Sequence, residues 1–273
     1  MTASTVDAPV GARASRGTSP VWWLVLKQEL IELWRGGRAL NFLVLFSLLM
    51  SLTTFLLGTN NELHLLPLEQ GVVVALTSAL TFGLFIGLAI GAESISGERE
   101  RATLEPLLLT PSGNRQILLG KFLAAMSPWP AALVLTIPYV AVLSQGHPVL
   151  GSGLVWGAIT GTLLAGIFVA FAMIVSVWSD SSRVSLFICL LVYAASLIPA
   201  QLPAEFLAAP AGVFLSLLDP VESSGQLLSK ILESGQPPIQ VWPFLASPVV
   251  ALALALVGLF GYAAPRLHLT ARQ

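Results

Sequence analysis

Apolar residues gather in six long runs, at 39–57, 71–91, 122–143, 150–177, 184–201 and 242–264, and none of these runs contains Asp, Glu, Lys or Arg. A helix needs about 20 residues to cross a hydrocarbon core, so each run is long enough, or nearly so. The pattern predicts an all-α membrane protein with six transmembrane helices. In the third run Pro128, Pro130 and Pro138 predict a kinked or broken helix. The fourth run is unusually long, which predicts tilt or extension beyond the bilayer.

Two flanking stretches are amphipathic instead. In 20–38, PVWWLVLKQELIELWRGGR, a helical wheel puts Trp23, Leu26, Leu30, Leu33 and Trp34 on one face. Gln28, Glu29, Glu32 and Arg35 fall on the other, and Lys27 intrudes on the apolar side with a stem long enough to snorkel. Ser19 suits the N-cap and Pro20 the first helical position. Tryptophans along an apolar stripe favour the membrane–water interface, with packing on protein as the alternative. Gly36-Gly37 breaks this helix before the first span. The second stretch is 202–241. Its segment 206–218 is too short to span and fits a re-entrant or interfacial piece. Asp219-Pro220 reads as a turn, and Leu227, Leu228, Ile231 and Leu232 form a stripe beside Glu222, Lys230 and Glu233. That spacing predicts a short amphipathic helix over the outer face, either a lid on spans five and six or a gate.

Composition narrows the class. Only 10% of the 273 residues are charged, 55% are hydrophobic and mean hydropathy is +0.84, against about 25% charged in soluble domains. A net charge of −1 gives no basic stripe for nucleic acid. One cysteine, Cys189, excludes a disulfide framework, and His64, His147 and His268 are too dispersed for a metal cluster. With the N-terminus inside and six spans alternating, twelve of the 13 Lys and Arg face inward and only Lys230 faces outward. Basic residues set orientation, so both termini are expected in the cytoplasm. The domains expected are a tail at 1–19, an amphipathic helix at 20–38, one six-span domain at 39–264 and a tail at 265–273. Gly83/Gly87/Gly91 and Gly157/Gly161 have the small-xxx-small spacing of close helix contacts. Asn41, Thr77, Thr81, Thr160 and Tyr193 are expected to bond between helices.

Several chemistries are missing. Residues 113–121, GNRQILLGK, resemble a phosphate loop only in passing: Arg115 stands where its first Gly belongs, and Phe122 where Ser or Thr belongs. No H-E-x-x-H occurs. Spans without carboxylates offer no intramembrane acid pair and no proton relay.

One island of charge interrupts this apolar chain. Glu93, Glu98, Arg99, Glu100, Arg101 and Glu105 lie between spans two and three, with Leu104, Leu107, Leu108 and Leu109 among and after them and Thr110-Pro111 closing the element. Alternating signs suit a solvated helix or a polar interface, and exposed leucines suit a docking surface. Ser112 is placed to cap the helix leading into span three.

The segment ESISGERERATLEPLLLTPSGNRQILLGK resembles the loop between spans two and three of ABC exporter permeases of the second type. The residues that fit are Glu93, Gly97, Glu98, Arg99, Glu100, Thr103, Leu104, Glu105, Leu107, Leu108, Thr110 and Pro111; Ala102 stands where Gly is common. The N-terminal helix, the six spans, the long outer segment and LLDPVESSGQLL (217–228) match that family's plan too. The resemblance implies a coupling helix that, with Arg101, docks in a groove of an ATP-binding subunit, and a connecting helix at 20–38. It implies two permeases, identical or different, with two ATPases in the plasma (inner) membrane. ATP and Mg then belong to the partner, and this chain is neither an enzyme nor the holder of a cofactor. Charge-free spans suit export of a hydrophobic or amphipathic substrate. The alternative is a subunit that passes ATP-driven movement to an extracytoplasmic protein through 202–241.

Overall fold

The computed structural model describes residues 20–59, 67–101, 113–199, 212 and 218–267. The tail at 1–19, nearly all of the 206–218 segment, and the Ser19 and Ser112 caps lie outside the described residues, as does 268–273.

Every regular element among the described residues is helical. Helix α1 (Val21–Arg35) starts one residue after Pro20, which sits at the N-cap instead of the expected first helical position. It ends at Gly36, and Gly37 takes a φ of +76°, a conformation glycine adopts without a Cβ penalty. Helix α2 (Arg38–Thr59) follows, then α3 (Leu68–Glu93) and the short α4 (Ser96–Glu100). The proline-rich third run is broken as expected: α5 (Asn114–Met126) stops at Ser127, and α6 (Pro128–Ser144) restarts with Pro128 in its first turn. Gln145 and Gly146, both at positive φ, reverse the chain into α7 (Val149–Trp178). Thirty residues rise about 45 Å, more than a hydrocarbon core.

Among the described residues, five helical stretches are long and apolar enough to cross a membrane: Arg38–Thr59, Leu68–Glu100, Asn114–Ser144, Val149–Trp178 and Trp242–Arg266. The fifth expected span, 184–201, differs. Its helix α8 (Ser182–Ser196) has 15 residues and ends in a turn at Leu197-Ile198, so it rises only about 22 Å.

The Asp219-Pro220 pair starts a helix and does not merely turn the chain. Asp219 caps α9 (Pro220–Leu232) by accepting from the Val221 N–H at 2.8 Å, and Pro220 fills the first helical position. The apolar stripe is buried at Leu227, Leu228 and Leu232. It packs mainly on α10 (Trp242–Val257), α7 and α3, the helices of the sixth, fourth and second apolar runs. The last helix widens into a π turn at Gly258–Ala263 and closes with a 3-10 turn at Ala264–Arg266.

Helices α3 and α7 form the buried axis of the body, wrapped by α2, α6 and α8 on the α3 side and by α10 on the α7 side. Their glycines permit the approach. A Cβ on Gly91 would sit 3.0 Å from Ala172 Cβ, and one on Gly157 would sit 3.0 Å from Leu76 Cδ2. Gly83 and Gly161 instead flank the indole of Trp129, which fills the space a side chain on either would need. The intramembrane hydroxyls correct one expectation. Thr77, Thr81 and Thr160 donate to carbonyls four residues back in their own helices. Tyr193 does bond between helices, donating to Thr81 O at 2.5 Å. So do two groups the sequence did not flag: Trp129 donates to Thr162 Oγ1 at 3.1 Å, and Tyr139 Oη meets Ser47 Oγ at 2.8 Å.

Candidate functional site: the charged end of the bundle

The start of α2, the end of α3, the start of α5 and the end of α7 all reach one end of the bundle, where the charged island folds back on them. The turn from α3 into α4 is pinned by one hydroxyl. Ser176 Oγ accepts from the N–H groups of Ile95 at 3.1 Å and Ser96 at 2.9 Å, satisfying donors that a helix start leaves open. Ser176 then donates to Ser96 Oγ at 3.1 Å, and Ser96 Oγ donates to Ala92 O at 2.8 Å.

Arg99 clamps the end of α7. Its guanidinium donates to Ser179 O at 2.8 Å and Val177 O at 3.0 Å, and pairs with Asp180 at 3.3 Å. Cationic donors suit the carbonyl end of a helix. Glu100 does the converse for α8, accepting from Ser182 N at 3.0 Å and Ser182 Oγ at 2.6 Å at that helix's amide end. These hydrogen bonds hold the Glu100 carboxyl below the usual carboxylate range. The packing that results buries Gly97 against Ser182.

Lys121 joins the remaining parts. It is 1% exposed, on the buried stripe of α5 formed by Ile117, Leu118, Ala124 and Ala125. Its ammonium donates to Glu29 Oε1 of α1 at 2.5 Å, Glu98 Oε1 of α4 at 2.6 Å and Ser94 O at 3.1 Å. Three donors meet three acceptors, as a buried cation requires. The neighbouring Gly120 lets α1 lie directly on α5, since a Cβ there would stand 2.8 Å from Trp22 O. A further layer is exposed: Arg38 bridges Glu32 at 3.1 Å and Glu93 at 3.4 Å, and Arg101 lies 3.6 Å from Glu32. A polar cavity of about 270 Å³ opens between α1, α4 and α5.

Of the island residues named from the sequence, Glu93, Gly97, Glu98, Arg99, Glu100 and Arg101 come together here. Thr103, Leu104, Glu105, Leu107 and Leu108 lie outside the described residues. Glu98, named among the ATPase-docking residues, turns toward Lys121. Helix α1 is bolted to α5 through Val25 against Gly120 and Glu29 on Lys121, with Leu26 and Leu33 also buried, while Trp23, Leu24 and Ile31 stay exposed. Sequence reasoning missed Lys121, Glu29, Ser176 and Ser182. Lys121 had a signal, a lone charge in register with 117/118/124/125; Glu29, expected on the polar face of α1, instead lies in register with the buried Val25, Leu26 and Leu33.

A helical body with charge-free spans and a folded ionic module at one end defines a multi-pass membrane protein with a built polar face. The chain belongs to the ABC-2 family of transporter proteins, whose family model matches residues 23–263. It is also 35% identical over 106 residues to the probable ABC transporter permease protein NosY of Pseudomonas aeruginosa. That match spans 38% of this chain and 38% of the length of that relative.

Proposed function

We propose that this chain is the permease subunit of an ATP-driven ABC exporter. It takes its energy from a separate ATP-binding subunit that docks on the 93–111 segment. The observation that carries the reading is the frame around Lys121. Three elements that would meet an ATPase, α1, α4 and the base of α5, are tied to one buried cation and through Arg99 and Glu100 to α7 and α8. A push on such a frame is delivered to several membrane helices at once. Coupling of this kind needs two states that nucleotide binding biases differently.

In this reading α8 completes a sixth span, both termini are cytoplasmic, and the assembly in the plasma membrane holds two permeases and two ATPases. Arg101, 60% exposed, and residues 103–108 present the docking surface. The carried substrate is hydrophobic or amphipathic, in keeping with spans free of charge. The test is purification in mild detergent: an ATPase with a Walker motif co-purifies at one copy per permease. Leu104→Asp then abolishes ATP-driven transport and leaves membrane insertion intact; wild-type transport from that variant defeats the reading.

A second reading rests on the opposite end. Helix α9 sits across the ends of three spans and leaves Ile239 and Trp242 exposed beyond it. Such a cap suits transmission of movement to an extracytoplasmic protein. Capture of that protein, with no substrate movement in vesicles, favours this reading over export.

A further inference from the structure

The last helix carries a hydrogen-bond defect that another helix repairs. In its π turn the Ala264 N–H donates to Leu259 O, a five-residue register. The next acceptor in that register, Phe260 O, would need the N–H of residue 265, which is Pro265 and has none. Arg115 of α5 supplies the donor, its Nε lying 3.1 Å from Phe260 O. Beside it, Asn114 Nδ2 donates to Leu267 O and to Ala264 O, each at 3.1 Å, the latter also accepting from the Leu267 N–H at 3.3 Å.

These two residues open α5, directly after the charged island. The main approach of α5 to the last helix is at the terminal turn Ala264–Arg266. Alongside, a surface gap of about 620 Å³ opens between Leu119 and the pair Leu256 and Phe260, beside the edge-to-face contact of Phe122 with Phe260 at 6.4 Å. The last helix is therefore held to α5 at its foot, while above the π turn it packs on α7, so its two ends answer to different neighbours. Its wide turn is the place where an α-helical register is already lost.

We propose that Asn114 and Arg115 are positioning residues that carry displacement of the coupling segment into the last membrane helix, with the π turn at Gly258–Ala263 as the hinge. This inference rests on the function proposed above, since it needs an ATPase to move the island. It goes beyond docking by naming where the movement leaves the frame.

The test places spin labels at Leu119→Cys and Leu256→Cys, across the gap, and reads their dipolar broadening. In the purified permease, Arg115→Ala and the near-isosteric Asn114→Asp, which cannot donate, alter the broadening; Arg115→Lys restores it. Pro265→Ala returns a backbone N–H to the turn and makes Arg115→Ala nearly silent. Broadening that ignores all four substitutions overturns the clasp. In the complex with its ATPase, ATP changes the broadening, and Asn114→Asp shrinks that change about fivefold or more while hydrolysis continues. An ATP response equal in wild type and variant, or none in wild type with the ATPase bound, overturns the relay. Failure of any ATPase to co-purify defeats the proposed function, and with it the relay, and is distinguished by the permease-only arm, which still reports the clasp.

Discussion

The ammonium of Lys121 lies 2.6 Å from the Glu98 carboxylate, and this pair joins α5, just ahead of the charge-free third run, to α4. Both groups are largely shielded from solvent, and Glu29 completes the contact from α1 at 2.5 Å. Removing one partner of a buried ion pair strands the other, which costs about 3–5 kcal/mol. Lys121→Met, which strands two carboxylates, is expected to lower stability in detergent by that amount. Replacing all three groups, as Glu29→Gln/Glu98→Gln/Lys121→Met, is expected to recover most of the loss, because an uncharged cluster strands nothing. Unfolding followed by circular dichroism measures both. A triple variant no more stable than Lys121→Met would contradict the ionic account.

The seat of Trp129 makes a steric prediction. Gly161→Ala and Gly83→Ala each place a methyl group against the indole ring, and overpacking of this kind costs about 1–3 kcal/mol. Gly58→Ala, where a Cβ meets nothing within 4 Å, is the control. It is expected to be nearly neutral, since Gly58 lies at the last turn of α2 and an added methyl group meets nothing there. Thermal melts of the three variants in one detergent rank them.

Much of this architecture was legible in the sequence, because hydropathy and helix-breaking residues act locally. The runs around Leu76, Val169 and Leu252 announce their helices by length alone, and Gly36-Gly37 and Pro128 interrupt theirs where the chain predicts. The side-chain pairings were less legible, since they depend on which faces meet. Thr77 and Thr81 have the composition of interhelical donors, yet each has a carbonyl of its own helix within reach. Glu98 reads as exposed in any local window; only the packing of α5 beside α4 shows that Lys121 waits for it. Asp219-Pro220 satisfies both a turn signature and a helix-start signature, and the buried stripe at Leu227 and Leu228 decided in favour of the helix.

Asp219 gives the α9 cap a pH dependence. Burial pushes its carboxyl above the ordinary value, opposed by the hydrogen bonds from the N–H groups of Val221 and Glu222. A proton is thus held more tightly in the folded chain. The stability this contributes is fully present below the unfolded aspartate value, about 3.9, and is lost as pH rises through the raised folded value. Protection of α9 amides from hydrogen exchange is expected to fall over that window. Asp219→Asn keeps an N-cap acceptor and removes the charge, so its protection is expected to be flat. A variant that keeps the slope would assign it to another group.

Orientation supplies the last prediction. Asp180, at the charged end, is 95% exposed in side chain, and Ser234 is exposed beyond α9 at the other end. The single native cysteine, Cys189, is buried, so it gives little background to thiol reagents. If the basic residues hold the charged end inside, a membrane-impermeant maleimide labels Ser234→Cys in intact cells. The same reagent labels Asp180→Cys only after the cells are permeabilised. Neither substitution touches a buried group: Asp180 has one exposed pair with Arg99, whose two carbonyl contacts remain. The reverse pattern would put the Lys121 frame outside the cell, out of reach of ATP, and would remove the proposed coupling while leaving the fold as described.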